Sequence, residues 1–261
     1  MESDSSLIDH DIFSTGCFQG HNAFIRYVFT WISICSGLPL TIYAVYSLVR
    51  DDRCAPVYVI NLLLSDLIQL CCLIGWVTDR NCHDIFIYLH HHALLANVGF
   101  MLCITLERYV VIVWSMSFTS GQTMKTSLVC LLVWLLPLVS VLPLYLQVDF
   151  QVTKAIFAVY LLVPFPLFIL SLCGTLKVLS TCLRVPADER EGTVAVLVMV
   201  LLIYTFMFLP SIIRFLVKIH TRSDFSSMSL VYVELIPLAD LTLYIITKGH
   251  VALRCCRTQL Q

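Results

Sequence analysis

Seven apolar stretches divide the 261-residue chain, at residues 24–49, 56–78, 84–114, 125–147, 153–183, 191–217 and 228–247. Each is about 20 residues or longer, the length at which a helix crosses the hydrocarbon of a bilayer. Backbone groups in lipid must be satisfied within the segment, so runs of this kind cross as helices. The expected fold is all-α, a bundle of seven transmembrane helices. Tyr, Trp and charged residues gather at the ends of the runs, where headgroups accommodate amphipathic side chains. The linkers are short, so the chain divides into a segment 1–23, a helical domain 24–247 and a tail 248–261.

Composition agrees with a lipid solvent. With 59% hydrophobic and 13% charged residues, a soluble domain of this size could not build a polar exterior. The net charge of −1 gives no broad basic footprint, which argues against nucleic acid as a partner. The first 23 residues lack the basic start and apolar core of a cleavable signal peptide, so the first helix is expected to serve as its own anchor. No Asn-x-Ser/Thr sequon occurs, and no N-glycan is expected.

Seven crossings put the two ends on opposite sides. With the N-terminus outside, Arg50, Arg53, Arg108, Lys125, Lys177, Arg184, Arg190, Lys248, Arg254 and Arg257 are cytoplasmic. Arg26, Arg80, Lys154, Arg214, Lys218 and Arg222 are then on the other face. Ten against six favours that orientation under the positive-inside rule. Prolines lie inside the runs at 39, 137, 143, 164, 166, 210 and 237. In a bundle each kinks its helix instead of ending it, leaving gaps for ligands, water and motion.

Several short motifs fall in order along these runs. Run two contains Asn61-Leu62-Leu63-Leu64-Ser65-Asp66, and run three ends in Glu107-Arg108-Tyr109. Run four carries Trp134, run five Pro166 with Cys173 seven residues on, and run six Phe206-Met207-Phe208-Leu209-Pro210. Run seven has Asp240-Leu241-Thr242-Leu243-Tyr244, followed by an amphipathic tail with Cys255-Cys256. In order and spacing the chain resembles the rhodopsin-like (class A) G-protein-coupled receptors over nearly its whole length.

That resemblance implies a multi-pass plasma-membrane receptor that signals to a heterotrimeric G protein and engages arrestin. Arg108, beside Tyr109, is implied to pair with Glu107 when inactive and to meet the G protein when released. A charge at that depth is costly unless paired; the plainer reading is an arginine snorkelling to the interface. Tyr244 is implied to swing inward in the same rearrangement, and Cys255 and Cys256 to carry palmitoyl groups. Two idle cysteines are the alternative.

The departures from the family pattern are specific. Thr41 stands where run one usually has Asn, Gly174 replaces a tyrosine of run five, Phe208 a tryptophan of run six, and Leu241 a proline of run seven. Most of the twelve cysteines lie within apolar runs, and only Cys17 and Cys82 fall in segments placed on the extracellular side. The short loop between runs four and five holds no cysteine, so the family's usual bridge to that loop cannot form. A Cys17–Cys82 disulfide is the pairing that remains. These losses leave room for a weakly signalling or degenerate receptor.

The resemblance implies that Asp66 and Asp240 both lie at mid-membrane, with Asn97 of run three between them. Two carboxylates close together in a dry site share a proton or are bridged by a cation. The family's sodium pocket uses the position of Asp66, so Na+ is one candidate. A protonated pair hydrogen-bonded to water is the other.

Seven of the eight histidines, His10, His21, His83, His90, His91, His92 and His220, map to the extracellular half. Their side chains titrate nearest physiological pH, which suggests sensing of extracellular protons. The proton-sensing branch of the family is loosely similar. Successive residues of a helix point about 100° apart, so at most two of His90, His91 and His92 can face one cavity. The competing ligand is a small anion or anionic lipid held by Arg214, with His90 and Lys218; the run Phe-Leu-Pro-Ser-Ile-Ile-Arg is similar to the nucleotide and hydroxy-acid receptors.

No HExxH, GxSxG or phosphate-loop motif occurs, so no enzyme, cofactor or metal centre is expected. A proton-coupled transporter is a rival reading, although no internal repeat supports it. An accessory seven-helix protein that binds another receptor without signalling is a second.

Overall fold

The structure, a computed structural model, describes residues 23–50, 57–78, 84–113, 122–145, 156, 159–181, 187–221 and 233–258. Among these residues there is no strand, and seven long helical rods account for nearly all of them. Ala23–Ile32, a π-helical turn over Ser33–Gly37 and Leu38–Arg50 together form α1. The others are α2 (Val57–Thr78), α3 (Asp84–Val113), α4 (Gln122–Tyr145), α5 (Pro164–Thr181), α6 (Ala187–Thr221) and α7 (Ile236–Thr258). Five of the seven rods contain stretches long and apolar enough to cross a membrane. The apolar part of α4 is the shorter Thr126–Leu142.

Helix and apolar run do not end together. α6 has 35 residues, about 52 Å of helix, against a hydrocarbon core of about 30 Å. Apolarity marks the slab of lipid, while the helix continues for as long as its own backbone bonds are favourable. α7 likewise runs unbroken from Ile236 to Thr258, so the expected tail helix is continuous with the seventh span.

Large apolar side chains point outward as well as inward. Leu135, Leu136 and Val139 of α4 and Leu170 of α5 are exposed on the rim of the bundle. A surface of this kind suits acyl chains and would be a liability in water.

Inside, α3 is the axis of the bundle and packs against α2, α4, α5 and α6. Leu62, Leu63, Leu95, Phe100, Met101, Ile104, Phe168, Tyr204, Phe208 and Leu243 form its surrounding core. Small residues let the rods approach closely, as membrane packing favours. A Cβ added at Gly75 would lie 2.8 Å from the Phe86 ring, and one at Gly99 2.7 Å from Val133 Cγ1.

The π turn in α1 has a local cause. Pro39 carries no N–H, so the regular bond to the carbonyl one turn earlier is lost, and the preceding turn widens. Gly37, at its end, packs against Leu70 of α2 and Leu238 of α7. α1 is thereby seated on the two helices that carry the buried carboxylates.

Candidate functional site

Asp66 is one turn beyond Leu62 on the inward face of α2, and Asp240 faces it from α7. Both are fully buried, as is Asn97 of α3. Asn97 Nδ2 donates to Asp66 Oδ1 at 2.8 Å and to Asp240 Oδ2 at 2.7 Å. One amide group therefore ties three helices together at the centre of the bundle.

The balance of donors and acceptors at this site is uneven. Asp66 Oδ2, Asp240 Oδ1 and Asn97 Oδ1 are buried and have no hydrogen-bond partner among the described residues. Three hard oxygen acceptors facing no donor fit a small cation or a shared proton. Burying both carboxylates without such compensation is costly at this depth.

A second polar cluster lies toward the starts of α1 and α7. Arg26 Nη2 and Nε donate to Glu234 Oε1, at 2.9 and 3.3 Å, and Thr30 Oγ1 donates to Glu234 Oε2 at 2.8 Å. Arg26 and Glu234 are each 3% exposed. Glu234 precedes α7 by two residues. Sequence reasoning overlooked this pair, having counted Arg26 only as an interfacial charge. The available signal was a lone acid, Glu234, inside the apolar run that opens the seventh span.

Of the three consecutive histidines of α3, His90 and His91 meet edge-on with ring centres 6.0 Å apart, while His92 turns to another helix. His90 is buried against the Trp76 ring of α2, with ring centres 4.7 Å apart. His91 bonds through Nδ1 to the Ile87 carbonyl at 2.7 Å, and His92 stacks on Trp134 of α4 at 6.1 Å. The 100° step of the helix fans them toward different neighbours. Trp134 in turn donates from Nε1 to Asn61 Oδ1 at 3.0 Å, joining α4 to α2.

Glu107, Arg108 and Tyr109 are half-buried at the far end of α3. The edge of Tyr109 lies beside Gly174 of α5, and a Cβ at Gly174 would be 2.7 Å from Tyr109 Cε2. Phe208 is fully buried and stacks on Tyr204, with ring centres 5.0 Å apart, while Phe168 meets Tyr204 edge-on at 4.9 Å. The Tyr204 hydroxyl donates to the Leu161 carbonyl and holds α6 to the segment just before α5. Thr41 is buried, and its hydroxyl has no partner among the described residues. Leu241 is buried in the unbroken α7, and Tyr244 is buried one turn further on.

Arg214, Lys218 and His220 lie on α6 and Cys255 and Cys256 on α7, but their side chains are outside the described residues, as are Cys17, Cys82 and His83 entirely. Cys35, Cys71, Cys72, Cys103, Cys130 and Cys173 are free thiols.

No family model matches the chain. Curated proteins that are similar in sequence include two receptors. C-C chemokine receptor type 7 of Bos taurus is 23% identical over 97% of this chain and 76% of its own length. G-protein coupled receptor 68 of Mus musculus is 26% identical over 50% of this chain and 37% of its own length. The chain is similar to these two G-protein-coupled receptors, at low identity. A bundle of seven helices, with α3 at its axis, is the architecture expected of such a receptor, and the apolar rim suits a membrane. These relatives are receptors rather than enzymes.

Proposed function

We propose that the chain is a G-protein-coupled receptor that carries an extracellular signal, a proton or a small anionic ligand, to a heterotrimeric G protein. The observation that carries this reading is the Asn97 bridge between Asp66 and Asp240. A polar joint that ties α2, α3 and α7 at the bundle centre is where a change of charge can alter how those helices pack. A proton or Na+ taken up there fits the unpartnered oxygens, and either would bias a pre-existing equilibrium between two arrangements of the helices.

At the outer end the signal is received by residues of the histidine-bearing half, His83, His90, His91 and His220, or by the basic pair Arg214 and Lys218. At the inner end Arg108 leaves Glu107, and Tyr244 moves inward beside Asp240. The G protein binds the face this opens, and arrestin competes for the same face. The protein works in the plasma membrane, with Cys255 and Cys256 as lipid attachment points and a Cys17–Cys82 bridge outside.

The test is signalling through cAMP, inositol phosphate and calcium in cells displaying the chain, titrated from about pH 8 to about pH 6. Arg108→Ala is the control. A response that grows with acid and is absent from the control supports proton sensing. A pH-independent response lost in the control moves attention to Arg214. Silence despite surface display favours the accessory reading, which the changes at Thr41, Gly174, Phe208 and Leu241 make a real competitor.

A further inference from the structure

The far end of the α1–α7 seam holds a lysine that the proposed mechanism does not use. Lys248 follows Tyr244 by four residues on α7, so both side chains lie on one face of that helix. Its ammonium donates to the hydroxyl of Ser47 on α1. It also sits 5.8 Å from the centre of the Tyr244 ring. Tyr244 is buried in the bundle core, whereas Lys248 and Ser47 are half-buried beside it.

An ammonium at this depth needs compensation, and among the described residues it finds a hydroxyl and an aromatic face. The hydroxyl comes from a different helix, which fixes where the charge can stand. The ring comes from the residue whose movement the receptor mechanism requires. When the ring leaves, the ammonium keeps Ser47 and loses the π face, so departure of Tyr244 is opposed by an interaction made only in the resting arrangement.

We propose that Lys248, anchored by Ser47, is a positioning residue that holds the Tyr244 ring in its resting place and sets the threshold for its movement. The proposal rests on the receptor reading above for its consequence, although the seating of the ring can be measured without it. A lysine that merely snorkels to the interface would be indifferent to Ser47 and to the ring.

The experiment places 3-fluorotyrosine at position 244 of the full chain in lipid nanodiscs. It then compares the fluorine spectrum of the parent with Lys248→Met, Lys248→Arg and Ser47→Ala. Nucleotide exchange on a purified heterotrimeric G protein is measured on the same samples without ligand. Methionine keeps the stem and removes the charge, so the resonance moves and basal exchange rises about two- to fivefold, the scale of a cation–π contact. Ser47→Ala changes both in the same direction by less, and Lys248→Arg restores both toward the parent. A resonance unchanged by Lys248→Met and Ser47→Ala overturns the proposal, as does one that Lys248→Arg shifts as far as methionine does. A resonance shift with no exchange from any sample, the parent included, keeps the positioning role and removes the signalling reading instead.

Discussion

Arg26 and Glu234 stand 208 positions apart in the chain and meet as a buried ion pair at 2.9 Å. Thr30 supplies the second carboxylate oxygen with a donor, so both oxygens of Glu234 are engaged. Such a pair contributes little against an apolar replacement, yet breaking it leaves one charge buried alone. Glu234→Ala should therefore lower stability by about 3–5 kcal/mol, and Arg26→Met by a comparable amount. The double variant Arg26→Met with Glu234→Leu should recover most of the loss. Thermal unfolding in detergent reads this directly; additive single-variant costs would show that the two side chains act independently.

The site at Asp66, Asn97 and Asp240 gives a cation-dependent expectation. Replacing choline by Na+ at about 0.15 M should raise the unfolding midpoint of the parent. Asp66→Asn and Asp240→Asn should each abolish the response, because each removes one hard anionic ligand. A parent midpoint indifferent to the exchange would assign the compensation to a shared proton.

Gly174 and Tyr109 form a steric pair. Gly174→Ala puts a Cβ 2.7 Å from the Tyr109 ring, which cannot be accommodated without displacing it. The expected cost is about 1–3 kcal/mol, typical of overpacking. In a Tyr109→Ala background the same change should cost almost nothing, whereas in Tyr109→Phe, which keeps the ring, it should persist. Differential scanning fluorimetry of the six combinations settles the coupling.

The hydroxyl of Tyr204 is the one polar tie described above between α6 and the segment just before α5. Tyr204→Phe keeps the stacking on Phe208 and removes only the bond to the Leu161 carbonyl. Stability should fall by about 1–3 kcal/mol, because the carbonyl is left buried without a donor. Hydrogen exchange should increase around Leu161, just before α5, more than along α3.

How much of this could be read from the chain follows from what each interaction requires. The seven rods were legible because lipid demands long apolar runs, and length alone finds them. Their ends were not, since α6 and α7 continue as helix past the apolar boundary. Asp66, Asn97 and Asp240 stood out as polar residues deep in apolar runs, and the structure brings the three together. Arg26 and Glu234 did not stand out, because charges near the ends of spans are ordinary and nothing local links residues so distant in sequence. The fanning of His90, His91 and His92 followed from helix geometry. Their partners, Trp76 and Trp134, did not, because those depend on how α2 and α4 are rotated against α3. Gly174 was visible only as a missing tyrosine; that the edge of Tyr109 lies beside it is a fact of packing.

The absence of proline at Leu241 has a mechanical consequence. α7 extends over 23 residues, about 34 Å, without a hinge. A jointed helix can bend at its middle and leave its ends where they were. An unjointed one tends to turn as a unit, so a twist at Asp240 is carried on toward Tyr244 and Lys248. The chain has exchanged a flexible elbow for a stiff shaft, and whatever turns the buried carboxylate turns the end of the helix with it.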